Sequence, residues 1–507
     1  MSLRRQSETV RRFTGPLPLD VLIIGGGISG AGVARDAAMR GLNVGLVEQH
    51  DFAFGTSSRS SRLLHGGLRY LAQGRIGLVR EASVEKTIIH RIAPHLAEPL
   101  PFIFPAYRGN RHWALWQLKI GVKIYDLLCR GRNFGRSTWL DRDEVLQRVP
   151  NLVGAGLNGA VRYYDGLTND ARLVLDTLRS AARNGASLLN YVRFKEATRK
   201  DGWECTIEDC LTGKELQVRT RAVVNATGPW TGNVPHSRVK LRLTKGIHLV
   251  VDRARLPLSE TVVMTEGTRI LFAIPWGERT ILGTTDTDYT GRLDRVIADA
   301  MDVRYVLEIA NQFFPRARLM PDDVISTWAG LRPLLANPKG NPSDISRSHE
   351  IGNPEPGWWD LAGGKLTTYR RMAEQTVDGI VKWLKRTNSW GHTITPCRTA
   401  EEPLLSPAET VGVSGILPPT FNRRVVEHYC VNEWAVHLDD VMVRRTSWKH
   451  YFPDARQRAE RVADWMGEVL GWSEETRAAE IERYHAAVDL PLVPGVSAPA
   501  GRRAGDH

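Results

Sequence analysis

The sequence predicts an α/β protein with three parts. A largely parallel sheet wrapped by helices comes first, an antiparallel sheet occupies the middle, and a small α-helical domain ends the chain. Three observations predict it. An apolar run at 19–24 breaks into Gly25-Gly26-Gly27-Ile28-Ser29-Gly30, and a small-residue helical pattern at 31–40 follows. Short runs rich in β-branched and aromatic residues, separated by turn residues, crowd the stretch 188–284. From Thr367 onward, apolar residues recur with helical spacing. The 507 residues leave room for two or three domains, and 42% hydrophobic with 24% charged residues excludes a disordered or fibrous chain.

Taken in order, residues 1–19 read as a basic extension, with Arg4, Arg5, Arg11 and Arg12 against Glu8. The run 19–24, the glycine turn, the helix 31–40 and a second apolar run at 42–47 make strand, turn, helix, strand, with Gly41 suited to the helix C-cap. Gly25, Gly27 and Gly30 stand in the spacing G-x-G-x-x-G. That spacing gives a tight turn, close approach of backbone to a pyrophosphate, and close helix–strand packing. Glu48 ends the second strand 21 residues after Gly27, where a carboxylate accepts ribose hydroxyls and repels a 2′-phosphate. Residues 171–184 are predicted helical, with Leu173, Val174, Leu178 and Ala181 on one face. Runs at 203–207, 223–225, 247–251, 270–274 and 280–283 are predicted strands of the antiparallel sheet. Two of the later segments again end in glycine: Val223 to Gly228, and 361–367, the latter just before a predicted helix at 369–384. Three separated segments converging on one ligand suit a large dinucleotide held along its length, and FAD fits that better than a dissociable nicotinamide. After a Pro-rich passage at 403–419, helices are predicted to about 488, where Val462, Trp465, Met466 and Val469 form an amphipathic stripe. The Pro-, Ala-, Gly- and Arg-rich tail from 491 is predicted to be loose.

The formal charge of +12 is unevenly spread: residues 108–136 hold seven Lys or Arg against Asp126 alone. A clustered excess suits anionic lipid, nucleic acid or an acidic small molecule, and a solvated face is the plain alternative. Trp113, Trp116, Ile120, Ile124 and Leu127 share one helical face, with Arg108, Arg111, Lys119, Lys123 and Arg130 nearby. That pattern suits lipid. Leu115, Leu118, Val122 and Tyr125 cover the opposite side, which suits burial between domains, and both readings stand. The sequence has neither an apolar h-region at its start nor a run of membrane-spanning length, so neither signal peptide nor spanning helix is predicted. Five cysteines without a C-x-x-C pair predict reduced thiols in a reducing compartment, and fourteen histidines without matching acids or thiols predict no metal site.

The strings GGGISGAGVARDAAMRGLNVGLVE, TSSRSSRLLHGGLRYL, ARLVLDTL, NATGPW, KGIHLVV, IPWGERTILGTTDTDY, WAGLRPLL and AGGKLTTYRRMAE run in order from Asp20 to Gln375. They resemble the FAD-dependent glycerol-3-phosphate dehydrogenase family, and HGGLRYL and GGKLTTYR are strings a generic flavoprotein would not share. A weaker echo at 438–446 resembles the family's helical cap, while 398–432 matches poorly and implies a trimmed cap. The resemblance implies a glutathione-reductase-like flavoprotein with FAD-binding segments at about 20–90, 160–235 and 345–390. Substrate-domain segments at 91–159 and 236–344 interleave with them, and the cap spans 391–490. It also implies non-covalent FAD and oxidation of sn-glycerol 3-phosphate to dihydroxyacetone phosphate by hydride transfer from C2. It further implies that the electrons pass to ubiquinone or menaquinone and that the protein is cytoplasmic, held peripherally on the inner membrane. A homodimer is compatible with it. Family oxidases usually carry an insertion ahead of GGKLTTYR; only residues 333–362 stand there, which favours the dehydrogenase over a peroxide-forming oxidase. A flavin-containing nucleic-acid binder is the rival suggested by charge, but no arginine-and-aromatic nucleic-acid motif stands out.

By carry-over, Arg69 with Tyr70 and Arg347 hold the phosphate, Arg332 lies near the C2 hydroxyl, and Lys365 faces flavin or substrate. An imidazole titrating near about pH 6.5 suits proton uptake, which makes His65 the first candidate base. His248 competes, as base or substrate contact, and Arg332 acting with water is a third route. The cofactor contacts implied are Gly25, Gly27, Ile28, Gly30 and Glu48 at the first turn. Thr56, Ser57 and Ser61 supply hydroxyls for the pyrophosphate and ribityl chain, followed by His65, Gly66, Gly67 and Leu68. Val192, Ala226, Thr227 and Gly228 come next, and then Gly364, Lys365, Leu366 and Thr367.

Overall fold

Two sheets carry the fold in the computed structural model, which describes residues 9–68, 71, 74–110, 112–129, 133–335, 349–387 and 393–488. The first is centred on β1 (Leu19–Ile24), every residue of which is buried. β2 (Val44–Glu48) flanks it in parallel, and β7 (Ser187–Asn190) extends that side. On the other side the second half of β10 (Glu215–Asn225) and then β18 (Trp358–Gly363) run parallel to β1, and β17 (His349–Glu355) closes the edge antiparallel. The first half of β10 diverges to pair with β9 (Gly202–Asp209), which pairs with β8 (Val192–Lys200). Residues 223–225, expected in the antiparallel sheet, therefore lie in the parallel one, between β1 and β18. A short apolar run buried on both faces records burial, whereas strand direction is set by distant crossovers.

Helices α1 (Ile28–Met39), α4 (Asp170–Arg183) and α6 (Tyr369–Arg386) cover one face of this sheet, with α2 (Ile76–Ile92) beside them. The β8–β9 ribbon covers the other face, around Trp203, Val223 and Trp358. The three of these helices expected from the sequence, at 31–40, 171–184 and 369–384, form close to those bounds, while α2 is an addition of the structure.

The second sheet is antiparallel but for one contact. Its order is β15 (Thr287–Asp288), β11 (Leu241–Asp252), β14 (Arg279–Gly283), β13 (Arg269–Trp276), β12 (Thr261–Glu266), β4 (Glu98–Tyr107), β6 (Leu157–Leu167) and β3 (Leu63–Leu64). β16 (Val324–Leu335) pairs with β11, and β5 (Thr138–Leu140) with β6. The α5 helix (Ala300–Phe313) packs on one face and α3 (Leu115–Leu128) on the other. On α3, Leu118, Val122 and Tyr125 are buried, while Trp116 is 64% and Leu127 77% exposed, with Ile120 and Ile124 also exposed. Trp113 does not belong to that stripe. It precedes the helix, packs tilted against Phe104 and donates its indole N–H to Gly267 O at 3.0 Å.

At the C-terminal end α7 (Arg423–Asn432), α8 (Ala455–Leu470) and α9 (Glu474–Val488) enclose their own core around Val426, Tyr429, Trp448, Val462 and Met466. In the predicted stripe Val462 and Met466 are its buried centre and Trp465 and Val469 its edge. A π-helical turn at Asp440–Arg445 aims Arg444 and Arg445 at buried Asp51, just after β2, and so ties this unit to the first sheet.

Candidate active site

The chain leaves β1 through Gly25, whose φ of +106° suits glycine and where a Cβ would lie 2.7 Å from Ala226 O. At Gly30 a Cβ would lie 1.9 Å from Gly25 O, so Gly30 shapes the turn from within and does not line the cavity. No side chain caps α1 at Gly27. The helix N-terminus opens on a cavity of about 350 Å³, lined there by Gly25, Gly27 and Ile28. Glu48, Val192, Ala226, Thr227 and Gly228 also line it. Glu48 accepts the N–H groups of Gly26 (2.8 Å) and His50 (2.9 Å); burial pushes its pKa up and these two bonds pull it back. Ser57 Oγ accepts the Ile28 N–H at 3.0 Å, and Thr56 Oγ1 donates to Leu331 O at 2.6 Å.

Past Thr56, Ser57, Gly364, Lys365 and Leu366, which line both, this cavity continues into one of about 720 Å³. Ser61, His65, Gly67, Leu68, His248, Arg332 and Thr367 line the larger part. Arg332, on β16, is braced by residues that also line this cavity: Nη1 donates to Thr285 O (3.0 Å) and Asp286 Oδ1 (3.2 Å), and Nη2 to Thr284 Oγ1 (2.9 Å). His248, on β11, stacks on Trp328 at 5.2 Å, and its Nε2 lies 2.7 Å from Ser61 Oγ. Burial, then Arg332 and Arg62, hold its pKa well below the ordinary imidazole value, so it is neutral at pH 7. His65 packs near Phe272, with Nδ1 3.5 Å from Asp165 Oδ2. Gly66 does not face the cavity; its N–H donates to Asp165 Oδ1 at 3.0 Å. Arg69, Tyr70 and Arg347 lie outside the described residues, as do Arg4, Arg5, Arg111, Arg130 and the tail. The structure adds residues to which sequence reasoning gave no role: Thr284, Thr285 and Asp286 beside Arg332, and Lys86, Tyr125 and Asp165 behind His65.

His450, from the C-terminal unit, packs against the Trp328 ring at 5.0 Å, and burial, then Lys449 and Arg62, depress its pKa. The unfolded chain therefore binds protons at His248 and His450 that the folded chain refuses. Their contribution is present above about pH 6.5 and lost as pH falls below it. His50, depressed chiefly by burial, acts in the same sense, and only His437, which burial would depress but Glu480 and Asp440 raise, opposes them among the described histidines with a shifted pKa. Unfolding free energy measured in urea should accordingly drop between about pH 7 and 5, and H248N should flatten the drop by about one proton's worth, ~1.4 kcal/mol per pH unit.

The family model described as FAD dependent oxidoreductase matches residues 20–377, and that of the C-terminal domain of alpha-glycerophosphate oxidase matches 418–477. An aerobic glycerol-3-phosphate dehydrogenase of Staphylococcus aureus is 39% identical over 390 residues, 75% of this chain and 70% of its own. The chain belongs to the FAD-dependent glycerol-3-phosphate dehydrogenase family. Its cofactor is FAD, and the site fits it: an acid and a glycine turn at one end of a continuous slot, cations and imidazoles at the other. The glycerol-3-phosphate dehydrogenase from Bacillus halodurans complexed with FAD superposes with a TM-score of 0.76 at 28% identity, covering 97% of this chain and 99% of that one. The L-alpha-glycerophosphate oxidase from Mycoplasma pneumoniae, TM-score 0.59 at 16% identity over 77% of this chain and all of that one, shares the fold. The C-terminal domain is matched over 418–477, which takes in the last part of the passage 398–432.

Proposed function

We propose that the protein oxidises sn-glycerol 3-phosphate at C2 to dihydroxyacetone phosphate and passes the electrons to a membrane quinone, ubiquinone or menaquinone. One observation carries the reading: Arg332, His65 and His248 line one end of a slot whose other end has the dinucleotide turn, with Lys365 where the two parts meet. FAD, when bound, accepts the hydrogen and electron pair leaving C2. The protein's own residues do the rest. Arg332, held by Thr284, Thr285 and Asp286, presents a fixed cation to the C2 oxygen. His65 takes the hydroxyl proton, so the C2–O bond becomes a carbonyl with charge balanced. Neutral His248 holds the Ser61 hydroxyl without repelling Arg332, and Arg69, Tyr70 and Arg347 grip the phosphate, fixing C2. Adding glycerol 3-phosphate to the yellow holoenzyme without oxygen should bleach the flavin band in one turnover; an unbleached band at saturating substrate would remove the reading. In air, peroxide formed in step with substrate and without quinone would assign the oxidase reaction instead.

We place the protein on the cytoplasmic face of the inner membrane through α3. Its exposed Trp116, Ile120, Ile124 and Leu127 lie beside Lys119 and Lys123, whose ammonium groups sit over exposed Trp139 at 5.4 and 5.3 Å. An apolar stripe rimmed by lysines suits an anionic lipid surface. No helix among the described residues is long and apolar enough to cross a membrane. Changing Trp116, Ile120 and Leu127 together to serine should abolish sedimentation with phosphatidylglycerol vesicles and spare anaerobic flavin bleaching. Undiminished vesicle binding would locate the contact elsewhere.

A further inference from the structure

Beneath His65 lies a buried polar cluster that the proposed reaction does not use. Asp165, on β6, is 1% exposed. Its Oδ1 accepts from Tyr125 Oη (2.6 Å), Lys86 Nζ (2.9 Å) and Gly66 N–H (3.0 Å), while Oδ2 faces His65 Nδ1 at 3.5 Å. Lys86, wholly buried on α2, also reaches Tyr125 Oη at 3.0 Å and Tyr164 O at 3.0 Å. Three elements, α2, α3 and β6, thus spend buried polar groups on one carboxylate. A buried ion pair of this kind adds little stability over apolar packing of the same volume, because desolvation offsets the attraction. What it does supply is a carboxylate of fixed position and charge under the HGG turn. Burial alone would raise the Asp165 pKa, but Lys86 and then His65 hold it well below the carboxylate range, while Tyr125, raised by burial and by Asp165, stays a donor.

We infer that Asp165, clamped by Lys86 and Tyr125, is the positioning residue that keeps the His65 proton on Nδ1 and leaves Nε2 to receive the substrate's hydroxyl proton. This rests on the reading of His65 as the base. An imidazole has one acceptor nitrogen when neutral, and the partner of the other nitrogen decides which one it is. A carboxylate accepts only, so it selects Nδ1–H. The same carboxylate then stabilises the imidazolium once Nε2 is protonated, as an orienting acid does in other histidine bases. At 3.5 Å the contact is an ion-pair distance, and contacts of this type tighten once substrate is in place. By holding the Gly66 N–H as well, Asp165 fixes the turn on which the ring is mounted. A Cβ at Gly66 would lie 1.9 Å from Tyr125 Oη, so the turn is seated directly on the cluster.

The test is D165N in the FAD-loaded protein, with fold checked by thermal unfolding. Asparagine retains an acceptor for Gly66 but can present N–H to Nδ1. The first readout is the histidine ¹⁵N spectrum without substrate, with the His65 signal assigned by its loss in H65Q. Wild type should show Nδ1 protonated, and D165N should shift the proton to Nε2; an unchanged tautomer overturns the inference. The second is anaerobic flavin reduction, expected about 10²-fold slower in D165N, with H65Q/D165N no slower than H65Q. A D165N penalty equally large on the H65Q background would make the role merely structural and also overturn it. If D165N does not fold, Y125F removes one donor from Oδ1 and should move the His65 Nδ1 proton downfield; no movement overturns the inference. Failure of wild-type flavin to bleach would reject the proposed reaction, while the tautomer readout would still decide Asp165.

Discussion

Replacing Arg332 with methionine should lower kcat/KM for glycerol 3-phosphate by about 10³-fold, the largest loss expected from a single cavity residue whose position is described. Methionine keeps an unbranched stem on β16 and removes only the cation. The guanidinium is not a swinging side chain. Thr284 Oγ1, Thr285 O and Asp286 Oδ1 hold it at 2.9 to 3.2 Å, so the cation is positioned in advance. A charge-assisted hydrogen bond to an oxygen that gains negative charge as its proton leaves is worth about 1.5–3 kcal/mol. Loss of the positive field on that oxygen adds to this, and ~4 kcal/mol in all corresponds to the factor of about 10³. If the contact is made chiefly as the proton departs, kcat falls with kcat/KM and KM hardly moves; if Arg332 merely anchors substrate, KM carries the loss. R332K should recover little, because an ammonium cannot reach Thr284 and Asp286 in two directions while pointing at substrate in a third. R332M should also raise the pKa of His248, since Arg332 is one of the charges that depress it. Activity of R332M within a few-fold of wild type would remove Arg332 from the mechanism.

The nucleotide end of this site was readable in sequence because its signal is local. Gly25 is required by its own φ of +106° and Gly30 by its approach to Gly25 O, both within one turn, and Glu48 stands at the end of the next strand. Geometry also gathers the predicted cavity residues from far apart in the chain: Ser57, His248, Arg332 and Lys365 meet along one slot. The partners that brace them were not readable. Lys86, Tyr125 and Asp165 come from two helices and a strand, and the intervals between them follow no period. The direction of 223–225 was lost for a similar reason, since its neighbours arrive from residues 22–24 and 358–360.

The strand Glu98–Tyr107 was hidden by composition. Pro99, Pro101 and Pro105 argue against a central strand, yet all three have the same parity, so their missing N–H groups fall on one edge. The opposite edge keeps its ladder with β6, and the proline edge meets β12 only at Phe102 and Ile103. On α3 the sequence showed apolar residues all round. Which side is covered depends on β4, β6 and β13, and these bury Leu118, Val122 and Tyr125 and leave Trp116 and Leu127 outside.

The largest stability loss is expected from Asp51→Ala, far from the reacting atoms. Asp51 is fully buried and is shared by two buried arginines of the C-terminal unit: Arg444 through Nε, and Arg445 through both Nη1 and Nη2. Arg444 has further acids in Asp439 and Asp440, but among the described residues Arg445 otherwise donates only to the Glu433 carbonyl, at 2.7 and 3.2 Å. Alanine thus leaves a guanidinium in the interior with no carboxylate bonded to it, at a cost of about 3–5 kcal/mol. That is a large share of a typical stability of about 5–15 kcal/mol. The helices around Val426, Trp448 and Met466 keep their own core, so the first event should be loosening of this unit from the first sheet, seen as early proteolysis after residue 390. D51A/R445M should regain part of the loss, because it removes the stranded charge as well. The pH dependence has a defined sign. Burial would raise the Asp51 pKa, but Arg445 and Arg444 overcome it and hold the carboxyl below its ordinary value. The stabilisation is therefore complete above about pH 4 and is lost as pH falls through the depressed folded value, well below the window in which His248 and His450 act. Urea unfolding of D51A at pH 7 within ~1 kcal/mol of wild type would show that the two units are joined by something other than this pair.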